Sequence, residues 1–494
     1  MKNKFLKLSE NIAKYCFCFF VLLFSIANIF FTFRRFNIKG LDGDAHYLFG
    51  FNLLNLFFLI LILILIYCAF KNKWNSKKTI KLFLIFSLLL GLGWILINPV
   101  ELTEMDDAYN CFKAASEIAK GNLAAIGYKT YINTYPHNLP LVTYFLFIIK
   151  IFGQQNALWV IRIVNLGFII LGYYSLYKIT DLLYKSEKIN NILVILMFVS
   201  TQFVFYDYMV YSNAISYSLG MLSLLFFIKY DQTDSLKALT ISFIAIALSA
   251  SLKNNSLILL IAEIIFLVIK LMKKFDYKPI LLAVMCIFIL TVCSTGIVRF
   301  WEKRSESDYS NKLPLSCWIA YGLNYYEGNP GGYTNEFEKF HYENDYVVEF
   351  TELQTKQYIQ NVLNTFKEKP KVMFKFYWQK FLFSFANPEY NAFYSYNEVE
   401  QNKLTESIIS GNLNNIIFNI WDAASSAISL GLLCFCFLKN KRIKIDELLL
   451  AVCVFGGFLF HSFWETKSIY LYQYFLLLLP YAANGLFALF NRQS

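Results

Sequence analysis

Apolar residues fill this chain in unbroken runs of about 20, the length that carries an α-helix across a bilayer. Twelve such runs stand at approximately 15–33, 48–70, 80–98, 157–178, 190–206, 214–230, 236–252, 255–272, 279–299, 415–438, 446–463 and 468–490. A membrane β-barrel alternates at period 2 along each strand, which the unbroken runs exclude. The pattern predicts an all-α polytopic membrane protein of about twelve transmembrane helices. No small-residue cleavage site follows the first run, so it reads as a retained span rather than a signal peptide.

Charge orients the spans. Lys71, Lys73, Lys77, Lys78 and Lys81 flank one connection. Lys270, Lys273, Lys274 and Lys278 flank another, and Lys439, Lys441, Arg442 and Lys444 a third. All three fall on one side if the N-terminus is cytoplasmic, as the positive-inside rule requires. The C-terminus is then cytoplasmic too, and Arg34 and Arg35 break the rule locally. The chain divides into N-terminal spans (1–98), a first outer loop (99–156), a central bundle (157–299), an outer segment (300–414) and C-terminal spans (415–494). Within the first loop, 108–120 has helical periodicity, with Phe112, Ala115 and Ala119 on one face and Lys113, Glu117 and Lys120 on another. The stretch 139–152 is apolar but short for a span, and reads as a second helix lying at the interface. In the outer segment, 366–385 reads as an amphipathic helix pair broken at Pro370, forming a mainly helical lid.

The net charge of +11 lies in short loops between spans and does not indicate nucleic acid. The ten Cys sit mostly inside apolar runs, with no spacing that suggests a disulfide framework or zinc site. His137 has no His or Cys partner at ligand spacing, so no metal or other cofactor is expected. The bias toward Lys, Asn, Ile and Phe fits a bacterial protein.

The candidate chemistry lies at outer edges of spans. Asp106 and Asp107 open the first polar helix. One can cap it while the other accepts a proton from a sugar hydroxyl. Lys253 stands on the outer side, where Lys is disfavoured, and Asn254 and Asn255 follow it at a helix start. A cation, amides and helix N–H groups together suit a phosphate. The bland alternative is a lysine snorkelling from a helix end. Glu465 and Lys467 bracket the mouth of the last span, as a surface ion pair or as groups that position substrate. Asp422, inside an apolar span, should face protein or water.

The stretch Asp106-Asp107-Ala108-Tyr109, with Ala114-Ala115, Gly121, Tyr135-Pro136-His137 and Phe152-Gly153, resembles the first outer loop of GT-C membrane glycosyltransferases. The branch in question holds the protein O-mannosyltransferases and the lipid A aminoarabinose transferase. Leu252-Lys253-Asn254-Asn255, Trp318 to Leu323 with Pro330-Gly331-Gly332-Tyr333, and Trp464 to Tyr470 are similar to a bacterial subgroup of it. The resemblance implies a catalytic base at Asp107, with Asp106 close behind, and a basic residue, Lys253, near the carrier phosphate. Tyr109, Tyr135, His137, Glu465 and Tyr470 become candidate substrate contacts, and Asn254 and Lys467 candidate phosphate contacts. Where relatives often carry an Asp after the fifth span, this chain has Tyr211-Ser212-Asn213, and Asp207 is the candidate substitute. Gly332 stands where an aromatic residue is common.

These readings converge on a cytoplasmic-membrane glycosyltransferase. It would move a sugar from a polyprenyl-phosphate-linked donor to a glycan, lipid or protein acceptor of the cell envelope, on the extracytoplasmic side and with inversion. A glycan-lipid polymerase or ligase is the chief alternative, usually relying on outer-loop Arg. A transporter or flippase would show inverted repeats and midspan charges, and no clear repeat is found.

Overall fold

The computed structural model describes residues 2–35, 45–50, 52–72, 74–98, 102, 107–325, 329–393, 402–439 and 445–491. Asp106 lies outside them, as do Lys73, Lys441, Arg442 and Lys444 of the charge pattern. The helices run in chain order as α1 (Lys2–Phe30), α2 (Leu53–Lys71), α3 (Ser76–Ile97), α4 (Asp107–Ala119), α5 (Tyr131–Thr134), α6 (Leu139–Phe152) and α7 (Gln154–Tyr184). Next come α8 (Glu187–Val199), α9 (Asn213–Thr233), α10 (Leu236–Leu252), α11 (Leu257–Lys273), α12 (Lys278–Thr291) and α13 (Ile297–Ser305). The outer segment holds α14 (Ser316–Gly322), α15 (Glu336–Glu343), α16 (Val348–Glu368), α17 (Pro370–Phe385) and α18 (Lys403–Ile409). The chain closes with α19 (Asn412–Lys439), α20 (Ile445–Phe463) and α21 (Ser468–Asn491). One short antiparallel hairpin, Phe31–Arg35 with Ala45–Phe49, pairs Phe31 with Phe49 and follows α1 directly.

The protein is a multi-pass membrane protein whose described residues are predominantly helical. Nine of the described helices are long and apolar enough to cross a membrane, and a tenth span appears if α8 and the 3-10 turn Thr201–Asp207, bent by 55°, count as one. The expected figure of about twelve adds to these the α9–α10 hairpin, two helices that fall short by length or hydropathy. α10 has 17 residues, and α9 carries Ser216, Ser218, Ser223 and Lys229. These two helices are largely buried among their neighbours, and Ser216 and Ser223 bond within the protein rather than face lipid. Ser216 Oγ is 3.1 Å from Ser249 Oγ and 2.9 Å from Ser256 Oγ. One layer away, Ser223 donates to Glu263 at 2.6 Å and lies 3.0 Å from Ser242. The pairings 216 with 249 and 223 with 242 make the hairpin antiparallel. Counting both helices as spans or neither leaves every later orientation unchanged.

α21 is the central post, buried along nearly its whole length. It crosses α19 where Gly485 meets the Gly431 backbone, and a Cβ on Gly485 would overlap the Gly431 carbonyl. Small residues allow this close approach of helices. α19 also carries Asp422, which bonds Asn55 of α2, with Asn52 to Asn419 beside it at 2.9 Å. Asp422 thus belongs to a polar network between helices. Helix α12 leads through a π turn at Val292–Gly296 into α13, and this segment is largely exposed, as a lipid-facing span would be.

Contacts between connections sort the helix ends into two sets. At one end, Lys270 pairs with Asp231 at 3.4 Å and Asp234 at 2.8 Å, Gln232 bonds Asp446 at 3.1 Å, and Lys188 lies over Phe70 at 4.3 Å. At the other, Tyr211 bonds Asn138 at 3.3 Å and the Glu465 amide donates to the Trp318 carbonyl at 2.9 Å. α4 and α6 lie together at this second end. Cys111, Ala114, Ala115 and Ile118 of α4 are buried against α6, while Phe147, Ile151 and Phe152 of α6 are exposed. That is the arrangement of helices resting on an interface. α16 and α17 are separated by Lys369 ahead of Pro370, because proline cannot continue a helix from within.

Single Cys placed in a background free of native Cys should sort accordingly. Asn122→Cys and Asn254→Cys should react with a membrane-impermeant thiol reagent in intact cells, and Asp234→Cys only after permeabilisation. Labelling of all three alike would break the two-ended arrangement.

Candidate active site

The site end is assembled by backbone. The turn after α20 carries Trp464-Glu465-Thr466-Lys467, and it docks on α14 and the loop behind it. Glu465 N donates to Trp318 O at 2.9 Å and Thr466 N to Gly331 O at 2.8 Å. The indoles of Trp318 and Trp464 stack with centroids 6.3 Å apart and planes 18° from parallel. Two glycines make this approach possible. A Cβ on Gly322 would collide with the backbone of Phe463 and Trp464, and Gly331 has φ +77° and would strike the Lys380 side chain.

Lys380 of α17 threads beneath Gly331. Its ammonium is buried and donates to Gly322 O at 2.6 Å, Trp464 O at 3.0 Å and Ser462 O at 3.1 Å. These carbonyls lie at the ends of α14 and α20, where no helical N–H remains to serve them, and a cation there also meets the negative end of each helix dipole. Burial pushes the Lys380 ammonium down to about 7, opposed by the charge of Glu465. Glu465 is itself buried.

Around this platform lies a set of accessible side chains. Asp107 occupies the first turn of α4, where a carboxylate is favoured by the helix dipole, and it is exposed. It thus sits inside the helix rather than capping it. Tyr131, Tyr135, His137 and Tyr333 all lie within its electrostatic reach. His137 sits on the 3-10 turn Pro136–Asn138 that Pro136 begins. Its ring is open to the cleft although protein surrounds it, and packs edge-on to Tyr135 at 6.1 Å and Trp318 at 6.0 Å. The low-polarity surroundings, with Lys253 and Lys312 nearby, pull the imidazole down, against the field of Asp107. It is therefore neutral at pH 7 and can donate or accept a hydrogen bond.

Lys253 ends α10 in extended conformation, φ −146° and ψ 110°. Its ammonium lies 4.6 Å from the ring of Tyr211 and 4.6 Å from that of Tyr470. Two aromatic faces on a cation fix its direction. Lys467 stands 5.8 Å from the Tyr333 ring. Tyr333 in turn bonds Glu338, and its hydroxyl is held well above the usual tyrosine range by burial, Glu338 and Asp107.

Of the residues expected from sequence, the structure brings Asp107, Tyr135, His137, Lys253, Lys467 and Tyr470 to this one end, with Glu465 buried beneath them. Asn254 is exposed on the adjoining turn. Tyr109 lies two residues past Asp107, about 200° around the helix, with its ring 5.5 Å from Lys113. It points away from the side Asp107 faces. Asp207 is fully buried, its carboxylate facing Gly91 and within the field of Arg162. Arg162 stacks 3.7 Å from the Tyr208 ring, and Asn165 donates to Asp207 O at 3.2 Å and Met209 O at 2.9 Å. These contacts place Asp207 in the support under the Tyr211 loop rather than in the accessible group.

The residues that sequence reasoning did not assign to the site are Tyr211, Trp318, Tyr333, Glu338, Lys380 and Trp464. Lys380 is one of three lysines in the aromatic α17, with Lys371 and Lys375, and no local signal set it apart. Among the described residues no three His, Cys, Asp or Glu side chains are grouped to hold a metal.

Lys380→Met should leave three carbonyls without their donor, at about 1–3 kcal/mol each where water does not replace it. A lower thermal midpoint in detergent is expected. The pH dependence has a definite sign. A lysine whose folded value lies below its unfolded one penalises folding while charged, so the penalty falls as pH rises from about 7 to 10.5. The stability of the wild type relative to Lys380→Met should rise across that window, and a constant difference would show that the ammonium does not titrate there.

Comparison with known proteins agrees with this architecture. No curated protein matches the chain. Residues 136–298, from the His137 turn through α12, match the family model of dolichyl-phosphate-mannose-protein mannosyltransferase. That similarity supports a membrane glycosyltransferase of the GT-C type.

Proposed function

We propose that this protein transfers a sugar from a polyprenyl-phosphate-linked donor to a hydroxyl of a cell-envelope acceptor, on the extracytoplasmic face of a bacterial cytoplasmic membrane. One observation carries the reading. A carboxylate from α4, an imidazole from the turn before α6, and lysines from the α10–α11 break and the turn before α21 meet at one end of the bundle. The matched family is described by its use of dolichyl-phosphate-mannose, a sugar on a lipid phosphate. A lipid-borne phosphate reaches an enzyme at the membrane surface, and Lys253 stands at such a helix end. The charge bias of the loops supports the outward orientation.

In this mechanism the donor phosphate rests against Lys253, which the Tyr211 and Tyr470 rings aim, and against Lys467. The acceptor hydroxyl attacks the anomeric carbon from the opposite face. Asp107 takes the hydroxyl proton as the new C–O bond forms. The bond to the phosphate oxygen breaks, and the lysines stabilise the departing phosphate. Phosphate leaves as a stable anion, so no general acid is needed. A single displacement inverts the anomeric centre. Neutral His137, within the fields of both Asp107 and Lys253, hydrogen-bonds the sugar or the acceptor.

Asp107→Asn should lower transfer by roughly 100- to 10,000-fold, the range for a lost general base, with donor binding unchanged. Retained activity in Asp107→Asn together with loss in Asp106→Asn moves the role to the neighbour. Full activity in both and in the double variant removes the mechanism.

Lys253→Ala should weaken donor-lipid affinity by roughly 10- to 150-fold, the equivalent of one charged hydrogen bond. Lys253→Arg should keep part of it, since the fork carries the charge with a different reach. Unchanged affinity in Lys253→Ala, measured with a polyprenyl-phosphate sugar, would leave Lys253 a snorkelling lysine.

A further inference from the structure

A concavity lies at the seam between the first outer loop and the outer segment. Its volume is about 260 Å³, with Thr134 on one wall and Glu338, Asn335, Lys339 and Tyr342 of the outer segment on the others. His341 forms its floor and is spent on structure. One ring nitrogen meets Thr351 Oγ1 at 2.8 Å and the other the Asn311 carbonyl at 2.9 Å. That carbonyl can only accept, so Nε2 carries the proton and Nδ1 accepts from the threonine.

The two outer segments are clasped around this space. Lys129 pairs with Asp345 at 2.9 Å, the Tyr128 hydroxyl donates to Asp345 O at 3.0 Å, and the Tyr128 and Tyr346 rings lie 5.7 Å apart. Asp345 and Tyr346 are both left-handed, with φ of 51° and 60°. A bulky aromatic residue rarely adopts that conformation, and here it turns the Tyr346 ring back onto the cavity.

We propose that this concavity is the acceptor subsite and that it takes one sugar ring of a glycan acceptor. This rests on the glycosyltransferase reading above. The lining offers a carboxylate, an amide, an ammonium and a hydroxyl, a set that matches a ring of vicinal hydroxyls, which both donate and accept. Tyr342 beside it is 62% exposed, its ring braced edge-on by Tyr346 with centroids 5.9 Å apart, so that much of its apolar face stays open. Such a face with polar groups at its edge is how a tyrosine contributes both contact area and a polar handle. The volume falls below the about 300–1,000 Å³ of pockets for drug-sized ligands, which suits a single ring rather than a folded peptide. The cavity also adjoins the reacting groups. Glu338 in its wall accepts from the Tyr333 hydroxyl, and the Tyr333 ring stands 5.8 Å from the Lys467 ammonium. Thr134 of its wall immediately precedes Tyr135 of the cleft. A ring held here can present a neighbouring hydroxyl toward Asp107 past these two tyrosines.

The test is saturation-transfer NMR on the purified full-length protein with methyl glycosides of glucose, mannose, galactose, N-acetylglucosamine and ribofuranose, alongside a Ser/Thr-rich peptide. At least one glycoside should receive saturation from the wild type. The signal should fall at least several-fold in Tyr342→Ala and Asn335→Ala and persist in Lys253→Ala. Donor-lipid binding should be equal in the wild type, Tyr342→Ala and Asn335→Ala. Absence of any glycoside signal, or a signal indifferent to Tyr342 and Asn335, overturns the subsite. A peptide signal lost in those two variants overturns the glycan assignment in favour of a protein acceptor. Failure of the wild type to bind donor lipid counts against the glycosyltransferase reading itself, so the two failures are separable.

Discussion

Inside a bilayer no water serves a peptide group, so each backbone N–H and C=O must find its partner within the fold. That constraint keeps most spans as continuous helices and places most irregular backbone at their ends, with the bend after α8 and the π turn after α12 as exceptions. Chemistry follows the irregular backbone, because a helix end frees both backbone groups and side-chain directions. Asp107 stands in the first turn of α4, His137 in the turn before α6, Lys253 at the break between α10 and α11, and Glu465 and Lys467 in the turn between α20 and α21. Each site residue is thus at a junction, and the bundle brings the junctions of one end together.

The exposed helix-end carbonyls at that end create a second requirement, which Lys380 meets. One ammonium serves the ends of α14 and α20 and holds the outer segment to the membrane mouth. The same contact brings the Trp318 and Trp464 indoles into register and fixes the turn that carries Lys467. The outer segment is therefore more than a lid over a finished site. It contributes Trp318, Tyr333 and Glu338 to the surroundings of Asp107. The polar layers of α9 to α11 meet the bilayer constraint in another way, by placing Ser223, Ser242 and Glu263 in mutual contact where lipid cannot reach them.

Much of the helical frame was legible from periodicity. The stretch 139–152 is a helix over those residues, and the Pro370 break separates α16 from α17, because both rest on local signals of apolar run length and proline geometry. The span count was less legible. The apolar runs over the α9–α10 hairpin read as two spans, while α10 has only 17 residues and α9 carries Ser216, Ser218, Ser223 and Lys229. For the site, position at a helix junction marked Asp107, Lys253 and Lys467 as candidates. Facing was not legible for Tyr109, which follows Asp107 closely in sequence and departs from it by more than half a turn. Depth was not legible for Asp207, which the resemblance offered as a substitute for an Asp after the fifth span and which tertiary packing buries.

By itself the sequence determined the quantities set by local chain chemistry. These are an all-helical membrane architecture, the long polar segments between groups of apolar runs, and a carboxylate and lysines at helix ends. Tertiary structure decided what depends on distance between remote segments. The sandwich of Lys253 between Tyr211 and Tyr470 joins residues more than two hundred positions apart, and the Lys380 clamp joins three elements that share no sequence signal. Such contacts arise from how α21 seats the helices around it. No periodicity encodes that seating, because burial of apolar surface is indifferent to which polar ends it brings together.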